Sequence, residues 1–191
     1  QQETYPVLDP DNLPLTQLKE ADGTQVSVTL HLPSERNLHA NVWVAQVGRV
    51  PLLLLDSDVP ENDDAARTIT DRLYGGGGEY RLLQELLLGM GGVKALRAYA
   101  RINGKPAPAV YHTNEGHAGF LGIERIQELM EKGLSWEQSL AAVRASTLFT
   151  THTPVPAGID RFDKDLIRHF FTGPLAPAVP TEELLKLGAE D

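Results

Sequence analysis

Two polar stretches hold most of the side chains in this sequence that could do chemistry. Residues 109–120, AVYHTNEGHAGF, run from a short apolar start into His112, Asn114, Glu115 and His117. Residues 146–162, STLFTTHTPVPAGIDRF, do the same again, with Thr151, His152 and Thr153 following a short β-prone run. A strand that ends in polar groups and glycines before a helical pattern delivers a binding loop to the carboxyl edge of a parallel sheet. If the two strands are neighbours, the loops pool neutral hydrogen-bonding groups, one carboxylate and backbone amides at helix starts. Such a set suits a polyhydroxylated ligand, whose hydroxyls need many directional partners and little net charge.

Each residue also has a plainer role open to it. His112 at a strand end could be a buried, satisfied histidine. Glu115, ahead of a glycine and a helix, could serve only to complement the helix dipole. His152 in Thr-Thr-His-Thr-Pro could stabilise its own turn. His112, Glu115 and His117 are close enough in sequence to suggest a metal, but the spacing is not His-Glu-x-x-His and no further ligand is obvious. No metal site is expected. The tetraglycine at 75–78 lacks the Gly-Lys-Ser/Thr of a phosphate loop and reads as a flexible loop. A Gly-x-Ser-x-Gly nucleophile elbow is absent from the sequence.

The elements that must position these loops are legible in order. Residues 25–32 and 38–47 alternate apolar and polar side chains, the second placing Leu38, Ala40, Val42 and Val44 on one face. Residues 50–55, VPLLLL, form a continuous apolar run, as expected of a strand covered on both sides. These three make a β meander. A loop at 56–62 and a short helical stretch reaching Tyr74 follow. From Glu79 the apolar residues Leu82, Leu83, Leu86, Leu87 and Met90 recur at helical spacing, and the helix runs on past Gly91-Gly92 to about Tyr99. The spacing then predicts a strand at 109–111 and a helix from about Gly119 to Lys132. Ser135 opens a second helix with the Ser-x-x-Gln form of a capping box. A strand at 147–150, a helix at 162–171, a linker-like tail from 173 to 191 and a short helix at 182–187 within it complete the reading. Helix, strand, helix, helix, strand, helix is the alternation of a parallel sheet with crossovers, so the fold class is α/β.

The totals narrow the function classes. The chain has 191 residues, 41% of them hydrophobic, with a net charge of −9 and a pI near 5.1. That balance argues against nucleic-acid binding and against a polybasic membrane surface. With no cysteine there is no disulfide, thiolate nucleophile or thiolate metal site. No window approaches the roughly 18 apolar residues of a membrane span. A cytoplasmic location is expected. The opening, QQETYPVLDPDNLPL, holds three prolines and no initiator methionine, and reads like the middle of a longer polypeptide.

Residues 110–120 and 148–162 together resemble the α-glucan phosphorylases, in the bacterial branch that handles glycogen or maltodextrin. Residues 53–62, LLLDSDVPEN, and 73–85, LYGGGGEYRLLQE, add weaker support. The resemblance implies a GT-B arrangement, with two Rossmann-like three-layer domains facing across a cleft. Residues 1–172 would be part of the first of these domains, with its parallel core sheet and an N-terminal β meander, and 173–191 the tail. It implies release of glucose 1-phosphate from α-1,4-glucan ends by inorganic phosphate, with retention of configuration. The family uses pyridoxal phosphate, bound to a lysine, and the cofactor's phosphate takes part in proton transfer. The transition state is oxocarbenium-like, so fixed dipoles near the sugar matter more than a strong nucleophile.

Carried over by motif, His152 matches a histidine whose main-chain carbonyl faces the reacting glucose and whose side chain binds a sugar hydroxyl. Asn114, Glu115 and His117 match the polar loop of the glucan-binding wall, where many relatives have aspartate in place of Glu115. Asp160 matches a carboxylate that helps orient the site. The resemblance thus makes His152 and Glu115 the catalytic candidates, with Asn114, His117, Thr151, Thr153 and Asp160 as substrate-binding candidates. Residues 75–78 would be a loop gating the cleft, and Arg81, Gln84 and Glu85 would be either structural or near that gate. The cofactor lysine and the phosphate-binding Arg and Lys would lie beyond Asp191, and the glycine-rich phosphate-side loop upstream of Gln1. The expected partners are maltooligosaccharide and phosphate, and a homo-oligomer of the full enzyme stays open. The polypeptide alone is expected to be inactive. A synthase-like glucosyltransferase using a nucleotide sugar, or a non-catalytic carbohydrate-binding fragment, are the alternative readings.

Overall fold

The computed structural model describes residues 8–72, 76–116, 118–155 and 159–189. Its first half is an antiparallel sheet. Strands β1 (Thr16–Gln17) and β2 (Ser27–His31) lie along one edge of the long strand β3 (Asn37–Val47), and β4 (Val50–Asp56) lies along the other. The register pairs Ser27 and Asp56 with Asn41 from opposite sides. The alternation expected of β3 holds: Leu38, Ala40 and Val42 are fully buried.

Strand β4 departs from expectation. Its apolar run is covered on one side only. Leu53 and Leu55 pack against the core, while Val50, Leu52 and Leu54 are 61%, 49% and 37% exposed. Its outer face is left partly open among the described residues.

After β4 the chain is tied back by buried polar groups. The Asn62 amide donates to the carbonyls of His39 and Ser57, and its oxygen accepts from the His39 N–H. The helical stretch that follows is shorter than expected: α1 spans Asp64–Arg67, capped by Asp63. The part near Tyr74 lies outside the described residues.

The central helix is continuous through its glycines, as expected, but not uniformly α. Helix α2 (Gly78–Leu86) widens into a π turn at Leu87–Gly91 and resumes as α3 (Gly92–Ile102). Gly89 in that turn is a close-approach glycine. A Cβ there would stand 2.6 Å from the backbone nitrogen of Leu121 and 2.8 Å from the carbonyl carbon of Phe120. The wide turn therefore rests directly on the start of α4 (Leu121–Glu131).

The second half contains the expected parallel pair. Strand β5 (Tyr111–Asn114) pairs in parallel with β6 (Thr147–Thr150), joined through α4 and α5 (Trp136–Ala145). Strand β5 runs to Asn114, three residues past its expected end, so His112 and Asn114 are strand residues. The capping box at the start of α5 is present in both directions. Helix α6 (Lys164–Phe171) and helix α7 (Thr181–Leu187) finish the chain.

The tail from 173 onward is packed, contrary to its linker-like composition. Leu175, Ala176, Val179 and Leu184 are buried in the same core as Leu82, Leu86 and Met90. The Ala178 N–H donates to the Gln127 side chain at 2.9 Å. The Thr181 hydroxyl donates to the Phe171 carbonyl at 2.9 Å, so the tail is held against both α4 and α6. The chain is an α/β protein with an antiparallel sheet and a parallel two-stranded one.

Candidate functional site

The register of β5 on β6, from Tyr111 opposite Thr147 to Asn114 opposite Thr150, brings the two polar stretches together at one strand end. Beneath them the pair is anchored by stacking. The Arg125 guanidinium lies 4.0 Å from the centroid of the buried Tyr111 ring, and donates to Thr147 Oγ1 at 2.8 Å. A cation on an aromatic face, with its N–H groups satisfied, is a rigid base for two short strands.

Above that base, the Glu115 N–H continues the ladder by donating to the Thr150 carbonyl at 3.0 Å. The Glu115 side chain then crosses to the second loop. Its Oε2 accepts from the His152 backbone N–H at 2.9 Å and meets His152 Nδ1 at 3.1 Å, while Oε1 accepts from Thr153 Oγ1 at 2.8 Å. The His152 N–H, then the Thr153 hydroxyl, hold the Glu115 carboxyl down at about 2. It is therefore a carboxylate at neutral pH and only an acceptor. The nitrogen facing it must carry the proton, which leaves His152 Nε2 as the free position of an exposed ring.

The plainer roles do not describe these contacts. Phe120, not Glu115, is the N-cap residue of α4. His152 binds Glu115 rather than its own turn. His112 is exposed, and its Nε2 lies 2.6 Å from Thr150 Oγ1. Asn114 is exposed beside it on the strand end, as are Thr151 and His152 on the partner loop. His117 lies outside the described residues. Among the described residues, no group of three His, Asp or Glu side chains is placed to hold a metal ion.

Asp160 is placed by an ion pair across the molecule. Arg81 Nη2 lies 2.9 Å from Asp160 Oδ2, and Arg81 Nε lies 3.2 Å from Glu85 Oε1 one turn along α2. Gly116, with φ +77°, turns the chain beside it, and a Cβ on Gly116 would lie 3.6 Å from the same Asp160 Oδ2. Burial, then the hydrogen bond and charge of Asp160, push the Glu85 carboxyl up to about 7, against the pull of Arg81. Sequence reasoning placed Arg81 and Glu85 on a structural helix and did not join them to the site. The available signal was an Arg and a Glu four residues apart on the apolar face of that helix, where charges must be paired. Gln84 points elsewhere, donating to the carbonyls of Ile69 and Arg72. Gly75 of the tetraglycine lies outside the described residues.

The arrangement can bind a neutral, hydroxyl-rich molecule through His152 Nε2, His112, Asn114 and Thr151 over a rigid carboxylate. No helix is long and apolar enough to cross a membrane among the described residues. No family model matches the sequence. Known proteins do. The chain is 53% identical over 199 aligned residues to a glycogen phosphorylase of Mycobacterium tuberculosis, covering 100% of this chain and 23% of that protein. It is 40% identical over 193 residues to a maltodextrin phosphorylase of Thermococcus litoralis, covering 98% of this chain and 22% of the relative. A glycogen phosphorylase of Aquifex aeolicus is 31% identical over 159 residues, which is 83% of this chain and 22% of the relative. The chain thus spans under a quarter of the length of the relatives it matches. Along its whole length the chain is homologous to a segment of the glycogen and maltodextrin phosphorylases.

Proposed function

We propose that this chain is a segment of a retaining α-1,4-glucan phosphorylase and supplies the sugar-facing wall of its cleft. The observation that carries the reading is the Glu115 carboxylate, held by the backbone N–H and Nδ1 of His152 and by Thr153. It explains how one imidazole can present a fixed Nε2 to a sugar hydroxyl while its main chain is held rigid beside the reacting carbon. A charge developing on an oxocarbenium-like sugar is stabilised by dipoles that need no rearrangement. A network locked before substrate arrives meets that need. Asn114 and Thr151 would complete the wall and Asp160 orient it, while His117 is assigned to it by the resemblance alone.

Pyridoxal phosphate would supply the proton-transferring phosphate of such an enzyme. The residues gathered around Glu115 and His152 do not fit that group. They offer a carboxylate, imidazoles, hydroxyls and an amide, but no amine for an aldehyde. In this reading the cofactor, the phosphate site and the second domain belong to other parts of the protein. The parallel pair would then be part of a larger Rossmann-like sheet in a GT-B arrangement. Exposed Val110, Leu148 and Phe149 on and beside that pair support this, because parallel strands are ordinarily covered on both faces. A cytoplasmic enzyme is consistent with the composition.

The test is phosphorolysis by the full-length enzyme. His152→Ala should lower kcat about a hundred-fold with little loss of stability. Unchanged turnover would remove His152 from the site. The 191-residue polypeptide alone should release no glucose 1-phosphate and show no absorbance of bound pyridoxal phosphate. Glucose 1-phosphate release by it would overturn the division of labour.

A further inference from the structure

The parallel pair that carries the candidate site is short, and its register must be set by something firmer than its own ladder. Strands β5 and β6 face each other only from Tyr111 opposite Thr147 to Asn114 opposite Thr150. Parallel pairing is slightly weaker per residue than antiparallel pairing. A slip of one residue would move one strand end by about 3.3 Å and turn its side chains to the other face. Glu115 follows the last pair on β5 directly, and His152 follows it by two residues on β6. The hydrogen bonds between them, at 2.9 and 3.1 Å, survive no such slip.

The first facing pair is gripped by one buried side chain of α4. The Arg125 guanidinium lies 4.0 Å from the centroid of the Tyr111 ring, while Nη1 donates to Thr147 Oγ1 at 2.8 Å and Nη2 donates to Ser146 Oγ. Both hydroxyls pass the contact on. Thr147 Oγ1 donates to the Val143 carbonyl at 2.6 Å, and Ser146 Oγ donates to the Ala142 carbonyl at 2.8 Å, in the last turn of α5. The Ser146 carbonyl accepts the Tyr111 N–H at 2.9 Å. One planar cation thus touches both members of the pair and, through two hydroxyls, the helix end from which β6 starts. A second cation near the ring, Arg97 at 5.8 Å, directs its N–H groups to Glu128. A lysine has the charge of Arg125 but not its flat face and fork of donors. The Tyr111 hydroxyl has no hydrogen-bond partner among the described residues, so the ring's face is the part that Arg125 uses.

We propose that Arg125 is a positioning residue for the reaction: by gripping Tyr111 and Thr147 at the start of the β5–β6 ladder, it sets the register that brings the Glu115 carboxylate to His152 at the other end. This rests on the phosphorylase reading of the same site. Arg125 touches neither Glu115 nor His152 and acts on them only through the strands. Its loss should therefore loosen the clamp without removing any group that faces the sugar.

The experiment uses the full-length enzyme and compares wild type with Arg125→Lys, Thr147→Val and Tyr111→Phe. Glucose 1-phosphate release from a maltooligosaccharide gives kcat and KM, and amide hydrogen exchange reports the clamp. Arg125→Lys should lower kcat about ten-fold with KM changed less than about two-fold, since a misplaced group costs rate more than affinity. The N–H groups of Glu115 and His152 should exchange about ten-fold faster in it, while those of β2 and β3 stay within about two-fold of wild type. Thr147→Val, which keeps the side chain's shape and removes one acceptor, should do the same to a smaller extent, about three-fold in kcat. It decides the matter if the lysine variant does not fold. Tyr111→Phe keeps the ring and should match wild type within about two-fold in every readout. Wild-type kcat and exchange in both the lysine and valine variants overturn the proposal and spare the phosphorylase reading. So does a KM that rises as much as kcat falls, or exchange that quickens equally in β2 and β3. A wild type that releases no glucose 1-phosphate overturns the phosphorylase reading, and with it any role of Arg125 in that reaction.

Discussion

The Glu115 carboxylate accepts the backbone N–H of His152 at 2.9 Å and meets its Nδ1 at 3.1 Å, across 37 positions of sequence. Two contacts on one residue fix both its main chain and its ring, and Thr153 closes the clamp from the other oxygen. The candidate site is therefore a joined pair of loops rather than two independent ones.

The clamp should be sensitive to charge. Glu115→Gln retains one acceptor oxygen but cannot serve the His152 N–H, its ring and Thr153 together. In the full-length enzyme kcat should fall about ten-fold or more, with the thermal midpoint nearly unchanged because the group is near the surface. Turnover assays beside thermal unfolding check this, and equal activity would show that the clamp is ornamental to catalysis.

Stability should depend on pH with opposite signs from the two unusual carboxyls. Glu115 is lowered from an ordinary 4.5 to about 2, so its contribution is complete above about 4.5 and is lost as the pH falls toward 2. Glu85 is raised from 4.5 to about 7, so the folded state binds the extra proton and stability declines as the pH rises from about 4.5 through 7. Denaturant midpoints across pH should show both slopes. Glu85→Gln should remove the second and leave the first.

The π turn should reject an alanine at its own glycine while the first residue of α3 tolerates one. Gly89→Ala drives a methyl onto the backbone of Leu121 and Phe120 and should cost on the order of 1–3 kcal/mol. Gly92→Ala meets nothing within 4 Å and should stabilise by about 0.5–1 kcal/mol. Unfolding midpoints that fail to separate the two would contradict the close packing of the π turn on α4.

Removing the capping box should loosen the helix that leads into β6. Ser135→Ala deprives the Gln138 N–H of its 3.3 Å acceptor and should cost about 1 kcal/mol. Hydrogen exchange in the first turn of α5 is the local readout, and it should accelerate there while β5 is unaffected.

By itself the sequence determined whatever depends on neighbours along the chain. Alternation marked β2 and β3, helical spacing marked α2 to α6, and Ser135 with Gln138 announced a cap that is formed. The strand–helix order was enough to expect β5 and β6 side by side, which brought Glu115 and His152 within one candidate site. Other features depended on surfaces that only folding creates. The run at 50–55 is equally apolar on both faces, so its spacing could not tell that Val50, Leu52 and Leu54 stay exposed. The proline-rich tail reads as a linker because its few small apolar residues show no period, yet the core has a gap that Leu175, Ala176 and Val179 fill. Arg81 reaches Asp160 across 79 positions. A charge buried on a helix must find a partner, but the sequence does not name it, because ion pairing depends on distance in space and on exclusion of water. Tertiary structure made that choice, and with it joined helix α2 to the site.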